Sequence, residues 1–415
     1  MNNVSKNVWL LSRYKVFEIY LLFFYFFVFI CLFKLNLNRV FGIPIIYLPA
    51  FLLAGFTFLK PVVYKSQKNL LILLSTFYFV SFVSSINSII SLKNFILFSF
   101  MNFINFLIFF SANRLESRQI VRLKIILINI FFVSTVLSLF YFSLGFLPVP
   151  NILESIGINR NSFVFFICVI FNFQLVELLK NKSVLNIIKT LFFLLTIIFI
   201  GSRSAYIAIT ISSFLFFKQK KKNKNKKIKL KSIFIFILII TSLISLNHLS
   251  SIFSNRLVNM GEIIQIFGAK KLTRSDTGGR RQILMLTHLS IFFENKWFGI
   301  GVGQSLPYLK NKFDDIGTSI GSSHNTQIRI LAENGLIGFS LLTFFYLILL
   351  RKLSLKTKNG DLDANGFYCA YIALLVLSIG NEYFFTNPFI WFCLSLFVNF
   401  YPEQINTTKQ NYLPQ

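Results

Sequence analysis

Proton transfer near neutral pH is the natural work of histidine, and this chain has three among its 415 residues. His288 lies inside the apolar stretch ILMLTHLSIFF and His248 follows another apolar run, so both read as structural or interfacial groups. His324 differs. It stands in SSHNTQIRILAENGLIGF, before a helix that runs to Glu333, breaks at Gly335 and continues into an apolar run. A neutral imidazole there can accept a proton, and the plainer reading is a capping or packing role. Positive charge for an anion comes from arginines in short polar strings: Arg160 in GINRNS, Arg203 in GSRSA, and Arg280 with Arg281 in RSDTGGRR. The doubled arginine follows two glycines, in a turn that can bring guanidinium groups to a phosphate; ordinary solvation is the alternative. Glu333 and Glu382, the latter in GNEYFFTNP, are the acidic reserves, and Arg329 offers Glu333 an i,i+4 partner.

Other chemistries find little support. There is no HExxH, no paired CxxC and no acidic cluster, so no metal is expected. Adjacent Asp314 and Asp315 would point about 100° apart on a helix, a poor chelate. Cys31, Cys168, Cys369 and Cys393 all lie in apolar runs and read as small buried hydrophobes. GIGVG, with Gly299, Gly301 and Gly303, lacks a preceding strand and a following Walker lysine, so it reads as a turn and not as a nucleotide loop. No cofactor is expected.

The elements that must position these residues are membrane spans. The chain is 55% hydrophobic and 13% charged, with 55 phenylalanines, whereas soluble domains carry about a quarter charged residues. A span needs about 20 residues. Twelve apolar runs appear, from Val16–Phe33 to Pro388–Phe400, with Val184–Ile200, Ser204–Phe217 and Ile233–Leu246 before a long polar segment and Leu336–Leu350 after it. The expected architecture is all-α and polytopic, with about twelve transmembrane helices and one large loop between the ninth and tenth. It divides as one integrated domain into 1–246 (nine helices), 247–331 (the loop) and 332–415 (three helices and a tail).

The net charge of +28 would suggest nucleic acid in a soluble protein, but here its distribution marks topology. With the N-terminus inside, the inner segments hold 27 of the 42 basic residues, nine of them in KQKKKNKNKKIKLK, and the short outer loops hold five. No nucleic-acid partner is expected. Lys6, Arg13 and Lys15 precede the first run without a small-residue cleavage site, so that run reads as an uncleaved helix. GINRNS, GSRSA, the long loop and GNEYFFTNP then share the outer face. From Lys189 to Arg203, and from Arg203 to Lys218, each flanking helix is only about 21–22 Å long, against a hydrocarbon core of about 30 Å. Arg203 is thereby recessed, lining a polar cavity or pairing with an anion; an interfacial anchor is the alternative.

In their order and spacing these strings resemble the O-antigen ligase and O-antigen polymerase superfamily of bacterial membrane glycosyltransferases. The resemblance rests on GSRSA in a short outer turn, GGR followed by an amphipathic helix and FGIGVG, and HNTQIRILAENGLIGF, over roughly residues 185–350. It implies about twelve transmembrane helices in the bacterial inner membrane and a catalytic loop on the periplasmic side. It also implies a glycan donor on undecaprenyl diphosphate, without nucleotide sugar, metal or cofactor. Matched motif to motif, Arg203 and Arg280 would bind the diphosphate, with Arg281 as the other register of the doubled arginine, and His324 would activate the acceptor hydroxyl. Arg160, Glu333 and Glu382 are secondary candidates. Leu284 stands where the family often has an aromatic residue.

The expected function is therefore a ligase-like transfer of a glycan from its polyprenyl carrier to lipid A core. The alternative is a polymerase that joins lipid-linked repeats. A flippase for lipid-linked sugars is the rival of another class; it would want charged residues within several spans and two similar halves, and neither is evident in the sequence.

Overall fold

The computed structural model describes residues 17–25, 50–53, 55, 68–87, 89–112, 115–143, 160–200, 202–221, 277–312, 325–358, 360–380 and 387–400. Cys31, His248, Asp314, Asp315, His324, Glu382 and the run Ile233–Leu246 lie outside them. Arg160, Arg203, Arg280 and Arg281 are described at the backbone.

Every extended element among the described residues is helical: α1 (Lys68–Asn87), α2 (Leu92–Ser111), α3 (Ser117–Ser143), α4 (Arg160–Lys180), α5 (Val184–Ile200), α6 (Arg203–Lys221), α7 (Thr277–Glu294), α8 (Ser305–Lys312), α9 (Thr326–Thr357), α10 (Leu362–Gly380) and α11 (Pro388–Asn399). Five of these, α1, α2, α3, α9 and α10, contain stretches long and apolar enough to cross a membrane; α5, α6, α7 and α11 carry shorter apolar stretches. The chain is a multi-pass membrane protein by this character.

The bundle is organised around α10, which packs against α4, α6, α9 and α11, while α9 also holds α1 and α7. Helix α11 is apolar on every side and buried at every residue, as a helix without a polar face must be. Asn387 caps its start, accepting from Phe389 N at 3.0 Å, and Pro388 follows where its missing N–H leaves no bond unmade. At its other end Lys356 Nζ donates to the carbonyls of Phe397 (3.3 Å), Val398 (3.1 Å) and Phe400, covering acceptors that have no intrahelical partner. The phenylalanine content becomes core here. Trp391 lies edge-on to Phe109 with ring centroids 6.2 Å apart, and Phe166 meets Phe389 at 4.2 Å. Such edge contacts add about 0.5–1.5 kcal/mol each beyond the area they bury.

Two sequence readings change. Lys124, one of the 27 basic residues assigned to the inner segments, is buried, and its ammonium bonds to both Glu177 of α4 and Asp363 of α10. Lys180 closes the group at 2.5 Å from Asp363 Oδ2. Two lysines and two carboxylates thus neutralise one another where three helices meet, the arrangement a buried charge requires. The second change concerns GGRR. Helix α7 begins at Thr277, so Gly278, Gly279, Arg280 and Arg281 form its first turns and not a turn ahead of it. Glycine's helical penalty is overcome there by the apolar face that follows, of which Leu284, His288 and Ile291 are buried.

Candidate functional site

The end of the bundle that gathers the sequence motifs is built on the last turns of α10. Helix α6 starts at Arg203, after a two-residue break from α5, and its first turn touches α10. A methyl group added to Gly380 would lie 3.0 Å from Ser204 Cβ, so the two helices approach closely there. Helix α9 arrives at the same place: Gln327 Nε2 donates to Ser378 Oγ at 2.6 Å. Its start is set by Asn325, whose Oδ1 accepts from Gln327 N at 2.9 Å and Ile328 N at 3.1 Å. The N-cap is therefore Asn325, and His324 is the residue immediately before it. The backbone of Arg203 and the cap that follows His324 share one end of the bundle. Asp363 sits 17 residues back along α10 from Gly380, roughly 26 Å away at 1.5 Å per residue, so the buried ion group marks the opposite end.

Two helix N-termini, those of α6 and α9, meet two C-termini here, those of α5 and α10, so the helix dipoles largely cancel and positive charge for an anion must come from side chains.

The break in α9 falls where the sequence suggests. Gly335 has φ +62° and ψ −166°, inside an otherwise continuous helix from 326 to 357. A break orphans the carbonyls before it and the N–H groups after it, and the loop between α7 and α8 takes up both. Ile300 N donates to Ala332 O at 3.1 Å and Gly301 N to Glu333 O at 2.7 Å, while Leu336 N donates to Lys296 O at 2.8 Å and Ile337 N to Trp297 O at 3.2 Å. The two backbones are so close that a Cβ on Gly335 would sit 2.3 Å from Trp297 O. GIGVG is thus a clasp around a broken helix. Its glycine faces are filled by Glu333 backbone, Ser85 and Phe98, leaving no room for a nucleotide.

Glu333 is buried within this clasp. Its carboxylate accepts from Ser305 Oγ at 2.6 Å and pairs with Arg329 Nε at 3.1 Å, and the Arg329 guanidinium stacks 5.0 Å over the Phe98 ring. The Arg329 pairing anticipated from the i,i+4 spacing is present. His288 is fully buried with Nδ1 2.7 Å from Leu284 O, consistent with a structural role. Arg280 and Arg281 occupy the first turns of α7, which packs on α9, and Ile291, Ile300, Leu309 and Ala332 form a small core between loop and helix. Arg160 opens α4. Among the described residues no group of three or more histidines, cysteines or acids has metal-binding geometry.

Sequence reasoning missed Gln304 and Ser85. Gln304 Oε1 accepts from Ile90 N (3.1 Å) and Ser91 N (2.9 Å), and Ser85 Oγ accepts from Val302 N (2.7 Å), tying the loop to the α1–α2 turn. Neither residue carried a signal in the sequence: the burial of Gln304, which obliges its amide to find partners, appears only once the helices are packed.

No curated protein matches the chain. The family model described as O-antigen ligase matches residues 189–343, a span that holds GSRSA, GGRR, the clasp and the broken helix. The match, over 155 of the 415 residues, makes this part of the chain similar to the O-antigen ligase family and supports the superfamily resemblance and a function of that general type.

Proposed function

We propose that the chain moves a glycan from undecaprenyl diphosphate to a periplasmic acceptor, and that the acceptor is lipid A core, as in a ligase. In this reading twelve helices cross the bacterial inner membrane with both ends in the cytoplasm, and residues 247–331 form the periplasmic catalytic loop. The observation that carries the reading is the meeting of two motif-bearing helix starts, at Arg203 and at Asn325, on the last turn of α10, inside the family match.

The chemistry needs few groups. The bond from the sugar anomeric carbon to the phosphate oxygen breaks, the bond to the acceptor oxygen forms, and undecaprenyl diphosphate leaves. The diphosphate is already a good leaving group, so what remains is to stabilise its developing charge, the role we assign to Arg203 and Arg280, with Arg281 beside it. The acceptor hydroxyl must lose its proton, and we assign that proton to His324. No metal or cofactor is invoked. Arg160 and Glu382 stay secondary, while Glu333, already bonded to Arg329 and Ser305, suits a supporting role better than that of a base.

A polymerase would use the same groups on a lipid-linked acceptor. Deletion in the native host separates the two: loss of a ligase leaves core without O-antigen, and loss of a polymerase leaves core capped by a single repeat. The test of the reaction itself is purified protein with lipid-linked donor. Release of undecaprenyl diphosphate supports a transferase; movement of the intact lipid across the bilayer without release supports a flippase and overturns the proposal.

A further inference from the structure

Helix α7 has apolar residues on opposite sides. Leu284, His288 and Ile291, at i, i+4 and i+7, are buried toward the bundle, while Leu286 and Phe293, seven residues apart and so on one stripe, are 46% and 61% exposed. The turn after the helix continues that surface with Trp297 at 63% and Phe298 at 53% exposure. A helix apolar on both faces belongs in an apolar medium on both faces, and four large side chains clustered this way are more than the scattered exposed hydrophobics of a soluble surface.

The level of this surface along the bundle is fixed by hydrogen bonds. Lys296 O and Trp297 O accept from Leu336 N and Ile337 N, the first residues of α9 after its break. From Leu336 to Lys356, at the basic end of α9, is 20 residues, about 30 Å of helix, the thickness of a hydrocarbon core. With Lys352 and Lys356 at one membrane boundary, the Trp297–Phe298 turn sits at the other. Indole and phenyl rings favour that boundary, and exposed Lys296 beside them suits anionic headgroups.

We propose that Leu286, Phe293, Trp297 and Phe298 dock α7 and the clasp into the phospholipid leaflet opposite the Arg351–Lys356 end. The occupant is the bilayer interface itself. The proposal needs only that α9 spans the membrane and is independent of the enzymatic reading. Its consequence is that the loop is held at two points, by the clasp on α9 and by the leaflet.

The test uses the full chain in lipid nanodiscs. The chain has three tryptophans, Trp9, Trp297 and Trp391, so the emission lost in Trp297→Phe isolates Trp297, whose exposure makes the replacement mild. That difference emission is expected to be quenched by phospholipid brominated near the headgroup end of its chains. The variant Trp297→Phe with Phe293→Trp is expected to show the same quenching one turn earlier. Absence of bromolipid quenching overturns the proposal in either form: with quenching by aqueous iodide the face is in water, and with quenching by neither it is covered by protein.

Discussion

At the residue scale, groups that do chemistry and groups that hold them should respond differently to substitution. His324→Ala is expected to lower transfer about 10²–10⁴-fold, the usual contribution of a positioned base, with unchanged expression and thermal stability. A loss of thermal stability in place of that effect would give the histidine only a packing role ahead of the Asn325 cap. Lys124→Ala should behave in the opposite way. It removes the cation that Glu177 and Asp363 share, leaving Asp363 with Lys180 alone, and should lower the unfolding midpoint in detergent. An unshifted midpoint would show that the group is hydrated and weak. The sequence made the Arg329–Glu333 pair legible because one helix sets its spacing. It left Lys124 illegible, since a lysine that marks topology and a lysine that pairs across three helices look alike until the helices are packed.

At the scale of elements, the broken helix α9 carries the most weight. Its φ and ψ at Gly335 belong to glycine, and any Cβ there meets the Trp297 carbonyl. Gly335→Ala is expected to cost about 1–3 kcal/mol from backbone strain alone and to open the clasp, seen as faster proteolysis within 295–304. An alanine variant that is as stable and as resistant as the parent would contradict the clasp. The position of the break was readable from a glycine between a polar helix and an apolar run. What filled it was not, because the bonds from Ile300 and Gly301 to α9 join segments some 30 residues apart and involve only backbone, which no side-chain pattern records. The GGRR segment misled for a related reason. Two glycines argue for a turn locally, yet the buried face of Leu284, His288 and Ile291 extends the helix back through them.

For the whole molecule, the bundle explains how motifs more than a hundred residues apart come to one end. GSRSA opens α6, HNTQ opens α9, and both helix starts rest on α10, whose far end is pinned by the ion group around Asp363. Membrane character and helical class were legible from composition; the adjacency of these helix starts was not, because it depends on which apolar helices choose each other, and Phe-rich faces are nearly interchangeable. The proposed orientation has its own check. Ser275→Cys should react with a membrane-impermeant maleimide in spheroplasts and Asn225→Cys only after permeabilisation, and the reverse pattern would turn the protein over. The most direct measurement of the central claim is transfer by purified protein from an undecaprenyl-diphosphate-linked glycan to an added acceptor, for the parent chain and for Arg203→Ala, Arg280→Ala and His324→Ala. The account predicts carrier release and acceptor extension by the parent and loss of both in each folded variant; full activity in all three variants would contradict it.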